Sequence, residues 1–294
     1  SANTGGDPYA IPLPGAESKA ASPQVAKSDP ATTSTSRDTA THVASRESTS
    51  SIVAWQKVAG SGQGRDIQYT QIGTGSRDLL VIGSLHGDVS DAMLICDQLS
   101  EHLTLNAAGL TDARITIVRD ANPDASNLRS ATTANGVDLN RNFASSDWRK
   151  VAMLNATQQD DSLLSGPRAA SEPETQALQS LIERIGPERV LLLECTSPIG
   201  SIQYSPSAEQ RAMQLSRTSG WRQVQMADSS RSGSLLSYAG DDRGIPTLVL
   251  NLPRSKTVAE GWEASRQTLL AALDVTVSSE ATSASTEPVA STPR

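Results

Sequence analysis

Few residues in this chain have both the type and the setting to do chemistry. His86 is one of three histidines and lies within the stretch Leu79-Leu80-Val81-Ile82-Gly83-Ser84-Leu85-His86-Gly87-Asp88-Val89. An apolar run that ends in a polar turn reads as a buried strand, here one that delivers His86 to the end of a sheet. In open α/β sheets such strand ends face the crevice where ligands collect. A second such place is Glu194-Cys195-Thr196, directly after the all-apolar run Val190-Leu191-Leu192-Leu193. Glu194 with Cys195 could hold a metal, and Cys195 with His86 could form a thiol–imidazole nucleophile pair. A cysteine beside a strand is more often plain packing. The two cysteines, Cys96 and Cys195, make no disulfide framework and read as buried free thiols. Glu172 and Glu174 read as acids in the first turn of a helix, favoured there by the helix dipole.

The elements that must position these residues alternate. Residues 66–72 alternate in period two and end at Gly73, which makes a strand, and the run through Ile82 is the next. Ser90 or Asp91 caps a helix whose apolar positions Met93, Leu94, Cys96, Leu99 and Leu103 follow helical spacing. A strand over 113–118 leads into a turn-rich stretch from Asn122 to Phe143, where Gly, Pro and Asn argue for loop. Glu172-Pro173-Glu174 opens a helix closed by Gly186-Pro187, and residues 190–193 form a central strand covered on both faces. A short strand or loop around Ile202 and Tyr204, a helix over 208–215 and a strand over 221–224 follow. Residues 245–250 make a last strand and 258–273 a closing helix. Alternating strands and helices with apolar central strands predict a three-layer α/β/α domain.

Composition sets the limits of that domain. Residues 1–51 are rich in Ser, Thr, Ala, Pro and Gly and read as a disordered leader or linker; residues 276–294 read as a disordered tail of the same kind. The domain is therefore expected over 52–275. A net charge of −7 with both signs interspersed gives no basic stripe, which argues against nucleic acid and anionic membrane as partners. No apolar run reaches the ~20 residues of a membrane span. A Ser/Thr/Pro-rich leader that begins at Ser1 without a Met is what an exported chain trimmed of a signal peptide would show, so a periplasmic or envelope location is expected, with a cytoplasmic one as the alternative.

Several stretches together resemble the zinc carboxypeptidase family, and within it the branch that includes bacterial murein peptide amidases. They are Gly83-Ser84-Leu85-His86-Gly87-Asp88, Asn122-Pro123-Asp124, Gly136-Val137-Asp138-Leu139-Asn140-Arg141-Asn142-Phe143, and Ser165-Gly166-Pro167 with Ser171-Glu172-Pro173-Glu174-Thr175. Gly244-Ile245-Pro246-Thr247 adds a fifth. The resemblance runs from about residue 60 to 273 and implies a single domain with a mixed sheet of about eight strands. It also implies one zinc held by a His and a Glu in an HxxE turn and by a distant His, with an open position for water. A Glu on the last strand would move the water's proton, and an Asn-Arg pair would bind the substrate's terminal carboxylate.

Carried over residue by residue, the match is uneven. His86 takes the first ligand's place, but the ligand Glu falls on Val89, which has no lone pair; the neighbouring Asp88 is not its replacement. The second His falls on Glu194-Cys195-Thr196, since His42 lies in the leader and His102 one helix away, on its polar face. The general-base position holds Asn251, and an oxyanion-stabilising Arg falls on Ala131, with Arg129 near enough to reach instead. Asn140 and Arg141 match, either as a carboxylate clamp or with Asp138 tying down the long loop. The expectation is a family member without hydrolytic activity and without a cofactor that binds peptide C-terminal carboxylates, such as those of cell-wall peptides, through Asn140, Arg141 and Arg129. Zinc enters if substituted ligands keep the enzyme active; a structural or partner-binding module is the third reading.

Overall fold

The computed structural model describes residues 52–87, 91–150, 164–225 and 231–275. The expected leader and tail, with His42, Asp88 and Val89, lie outside the described residues. Eight strands form one mixed sheet: β1 (Gln56–Gly60), β2 (Asp66–Ile72), β3 (Arg77–Gly83), β4 (Ala113–Val118), β5 (Arg189–Ser197), β6 (Ser201–Tyr204), β7 (Arg222–Gln223) and β8 (Thr247–Pro253). Their order is β1-β2-β4-β3-β5-β8-β6-β7. The four central strands β4, β3, β5 and β8 run parallel, while β2 joins β4, and β6 joins β8, antiparallel.

The helices are α1 (Asp91–Leu105), α2 (Pro123–Leu128), α3 (Pro173–Ile185), α4 (Glu209–Ser219) and α5 (Val258–Leu273). Alternation along the central strands feeds two cores. Leu79, Val81, Leu191, Leu193, Leu248 and Leu250 pack with Leu99 of α1, Leu215 of α4 and Leu269 of α5. Leu80, Ile82, Val190, Leu192 and Val249 pack instead with Leu178 and Ile182 of α3 and with Phe143 and Tyr238. Each central strand is covered on both faces, which is why it reads as an uninterrupted apolar run. The three-layer expectation holds, and no helix among the described residues is long and apolar enough to cross a membrane.

Three elements differ from the expectation. Strand β1 carries no strong period-two signal and forms because its hydrogen bonds to β2 complete that edge. The stretch after Asn122 is not all loop: Asn122 caps α2, its side chain accepting from Ala125 N at 3.2 Å with Pro123 in the first turn. Residues 236–241 form one wide helical turn with i→i+5 bonds, an element without a sequence signature. His102 does not sit on a polar face; its ring tilts against Trp262 of α5 with centroids 5.5 Å apart.

The turn that follows β3 is clamped from below by the segment between β4 and α2. Ala121 N donates to Gly83 O (3.2 Å), Gly87 N donates to Ser130 O (2.9 Å), and the buried Asn122 donates from its amide to Leu85 O (2.9 Å). Asp124, at the start of α2, accepts from Ser61 Oγ, Gln63 N and Arg65 Nη1, all at 2.7 Å, and so fixes the β1–β2 turn. Glu172 and Glu174 stand at the start of α3 as expected, Glu172 at the N-cap and Glu174 in the first turn, and both are also buried cross-links. Glu172 accepts from Thr133, Asn135 and Ser171, and Glu174 from Gly62 N.

Two outcomes follow from this clamp. A Cβ on Gly87 would lie 1.9 Å from Ala125 C and 2.0 Å from Ser126 N, both backbone atoms. Gly87→Ala is expected to destabilise the fold by about 1–3 kcal/mol or more in urea unfolding. Burial alone would raise the Asp124 carboxyl, but Ser61, Arg65 and Gln63 N–H outweigh it and hold it below the usual range. Its contribution is therefore present above the unfolded carboxylate pKa of about 4 and lost as pH falls through its lower folded value. Asp124→Asn should flatten the acid limb of the stability–pH curve and leave the slope above pH 5 unchanged.

Candidate functional site

Strand β3 connects through α1 to β4 on one side, while β5 pairs on its other side, so the strand order switches direction between β3 and β5. A crevice forms outside the carboxyl ends of two such strands. Period two then decides which side chains enter it. Leu80, Ile82, Val190, Leu192 and Val249 face α3, so Ser84, Glu194 and Asn251 continue that face at the three strand ends. Glu194 lies opposite Asn251 in the β5–β8 register, and both are buried at 4% exposure.

His86 stands above this row between two carboxylates. Its Nδ1 is 3.1 Å from Glu194 Oε1, and its Nε2 is 3.1 Å from Asp138 Oδ1. Glu194 Oε1 also accepts from Leu85 N (3.2 Å), and Oε2 accepts from Ser84 Oγ (3.1 Å). Asp138 caps the short turn Leu139–Arg141 by accepting from Asn140 N (2.9 Å), and its Oδ2 pairs with Arg141 Nε at 3.2 Å. Burial alone would lower the His86 pKa, but the charges of Glu194 and Asp138 overcome it and raise the imidazole well above its ordinary value. For Asp138, burial would raise the pKa, and His86, Arg141 and the Asn140 N–H reverse that and lower it. Both shifts favour an imidazolium between two carboxylates.

The clamp residues sit beside this row. Asn140 Oδ1 accepts from Leu235 N (3.0 Å), which fixes the amide so that its NH2 faces the other way. The Arg141 side chain is 20% exposed. Its backbone is wedged against Gly233, where a Cβ would meet Arg141 O at 2.2 Å. Arg129 is exposed at the left-handed C-cap of α2, φ 52°, ψ 46°. Ala131 is half-buried and brings no charge to the crevice.

Cys195 is not part of the site. Its side chain points to the opposite face of the sheet among the residues packed on α1 and α5, and desolvation pushes the thiol up to about 12. A thiol–imidazole pair with His86 is excluded, because both ring nitrogens are engaged by carboxylates. Cys96 is likewise buried and raised. Sequence reasoning paired Asp138 with Arg141 but missed its bond to His86, and it missed the Ser84–Glu194 contact. The signal for the latter was an acid at an even position of β5, in phase with Ser84 on β3. The contact of Asn140 with Leu235 had no signal.

A zinc carboxypeptidase family model matches residues 40–240, about two thirds of the chain. The chain belongs to the zinc carboxypeptidase family. Murein peptide amidase A of Escherichia coli K12 is 38% identical over 117 residues, 38% of this chain and 46% of that protein. The Vibrio campbellii protein of the same name is 27% identical over 190 residues, 62% of this chain and 72% of that one. The chain thus spans about half the length of the E. coli relative. Among solved structures, murein-tripeptide amidase from E. coli O157 matches with a TM-score of 0.57 at 24% identity, covering 75% of this chain and 90% of that one. A metallo-carboxypeptidase from Burkholderia cenocepacia matches with a TM-score of 0.57 at 19% identity, covering 75% and 63%. These likenesses establish the fold.

The family is zinc-dependent. A catalytic zinc takes three protein ligands and an open position. On the Nδ1 side of His86 the described residues offer the imidazole and Glu194, and no group of three His, Cys, Asp or Glu able to hold a metal occurs among them. Position 89 is a valine and adds no donor. Among the described residues, the donors around His86 do not make up the three protein ligands of a catalytic zinc. Ring ¹⁵N shifts of His86 followed across pH should therefore show both nitrogens still protonated above the pH at which a free histidine becomes neutral; titration at or below the free value, or a metal-shifted nitrogen, contradicts the carboxylate–imidazolium–carboxylate arrangement.

Proposed function

We propose that this zinc carboxypeptidase-family domain does not hydrolyse peptides and instead binds the C-terminal carboxylate of a peptide through Asn140 and Arg141. The observation that carries the reading is the engagement of both His86 ring nitrogens by carboxylates at 3.1 Å, where a catalytic metal needs one nitrogen free. Asn251 supports it, because an amide cannot take up a water proton as a carboxylate does. Arg141 supports the binding half: its planar fork suits a carboxylate, and its neighbours Asp138 and Gly233 hold it at the crevice. Arg129, exposed at the C-cap of α2, is the further cation for a longer ligand.

The relation to murein peptide amidases makes cell-wall peptides the first ligands to try. With it goes an exported location, for which the Ser/Thr/Pro-rich composition of residues 1–51 is the sequence argument. A rival reading, an active metallopeptidase that uses Glu194 as a substituted ligand, draws on the 3.1 Å between Glu194 and His86.

Calorimetric titration with a peptide in acid-ended and amide-ended forms tests the proposal. The acid form is expected to bind, the amide form to bind at least about tenfold more weakly, and Arg141→Ala to lose a similar factor for the acid form alone. Equal binding of the two forms, or release of C-terminal residues by zinc-supplemented wild type, would overturn it.

A further inference from the structure

We infer that Glu194 has taken over the structural part of the family's metal: a carboxylate, rather than a cation, ties the end of β5 to the turn after β3. The inference rests on the non-catalytic reading above and deepens it. A zinc held by ligands from two strand ends cross-links them. Here the same two strand ends are cross-linked through one carboxylate: Leu85 N and His86 Nδ1 meet Glu194 Oε1, and Ser84 Oγ, whose single proton is shared with His86 O at 2.5 Å, lies 3.1 Å from Oε2. The three groups come from three consecutive residues, and one is backbone. A ligand pair merely collapsed together without its ion needs only the imidazole; Glu194 holds the whole turn.

The turn answers in kind. His86 N donates to Ser84 Oγ at 3.0 Å, and that hydroxyl has two acceptors for its one proton, His86 O at 2.5 Å and Glu194 Oε2 at 3.1 Å. Glu194 and Ser84 are buried at 4% and 3% exposure, where a carboxylate without donors would be costly. On the far side of the ring, Asp138 and Arg141 continue the row, so charges alternate Glu194, His86, Asp138, Arg141. A metal entering at Nδ1 has to displace Glu194 from His86. Val89 offers it no third donor in exchange. Glu194 is accordingly a positioning residue and the competitor that keeps metal out.

The test uses the full chain and zinc chloride as titrant, with thermal unfolding in EDTA and in excess zinc. Wild type is expected to unfold at the same temperature in both. Glu194→Gln keeps the shape of the side chain but not its charge, and should lower the midpoint by about 4 °C or more and move the His86 ring signals toward a neutral tautomer. Val89→Glu alone should bind zinc at least about tenfold more weakly than Val89→Glu with Glu194→Ala, because the second variant removes the competitor and adds no ligand of its own. Near-stoichiometric zinc on the wild type that is lost in Glu194→Gln would make Glu194 a ligand and overturn the inference. So would equal zinc affinity in the two Val89 variants, or an unfolding midpoint and ring signals indifferent to Glu194→Gln. Circular dichroism at 20 °C confirms that each variant is folded before it is scored; should Glu194→Gln not fold, the Val89 pair decides. Peptide hydrolysis by wild type would sink the reading beneath this one, whereas a zinc-free, inactive wild type indifferent to Glu194→Gln sinks this inference alone.

Discussion

A half-buried imidazole flanked by two carboxylates is an arrangement in which each member is stabilised by the others. Removing one partner from a buried ion pair costs about 3–5 kcal/mol, a large share of the roughly 5–15 kcal/mol that holds a domain folded. His86, Glu194 and Asp138 come from the turn after β3, the end of β5 and the start of the 139–141 turn, so the three charges tie that turn to two strand ends already set side by side by the β3–β5 ladder. The surrounding structure can be understood as support for this contact. Asn122 holds the His86 turn from below, α2 is capped by the same residue, and Gly233 and Leu235 fix the Asn140-Arg141 turn from the side.

Strand ends alone would not bring these groups together without the phase of the sheet. Because β3, β5 and β8 are parallel and in register, one choice of facing puts Ser84, Glu194 and Asn251 in a row on the α3 side and sends Cys195 to the other. The same rule that fills the two cores therefore selects which polar residues enter the crevice. Packing and the polar row are carried by alternate residues of the same strands, so the family fold by itself does not dictate which side chains enter the crevice.

Much of this was legible from sequence because it rests on local rules. The apolar runs at 79–82 and 190–193, the Gly186 end of α3 and the span of α5 all obey period or capping signals. The Asn140-Arg141 pair and the lone position of His86 were also visible, as was the absence of a carboxylate at 89 and 251. The bond from Asp138 to His86 was not visible, because a residue in a turn can face either its own neighbours or a strand end 52 positions away. Glu172 and Glu174 were legible as acids at the start of α3, but their burial was not, because only the tertiary fold brings Thr133, Asn135 and Gly62 against them. Strand β1 and the wide turn at 236–241 follow from neighbours rather than from their own composition.

The two residues that close the crevice floor, Ser84 and Glu194, are 110 positions apart in the chain. The β3–β5 ladder beneath them must close a loop of that length before any of its bonds form, and the entropy of that closure opposes it from the start. Contacts of such separation make a slow-folding topology, and a nascent chain released before β5 is made would leave the apolar edge of β3 without its partner. For a domain of this order of strands, the crevice is thus also a record of assembly: its two walls are complete only once two central strands far apart in the chain have met.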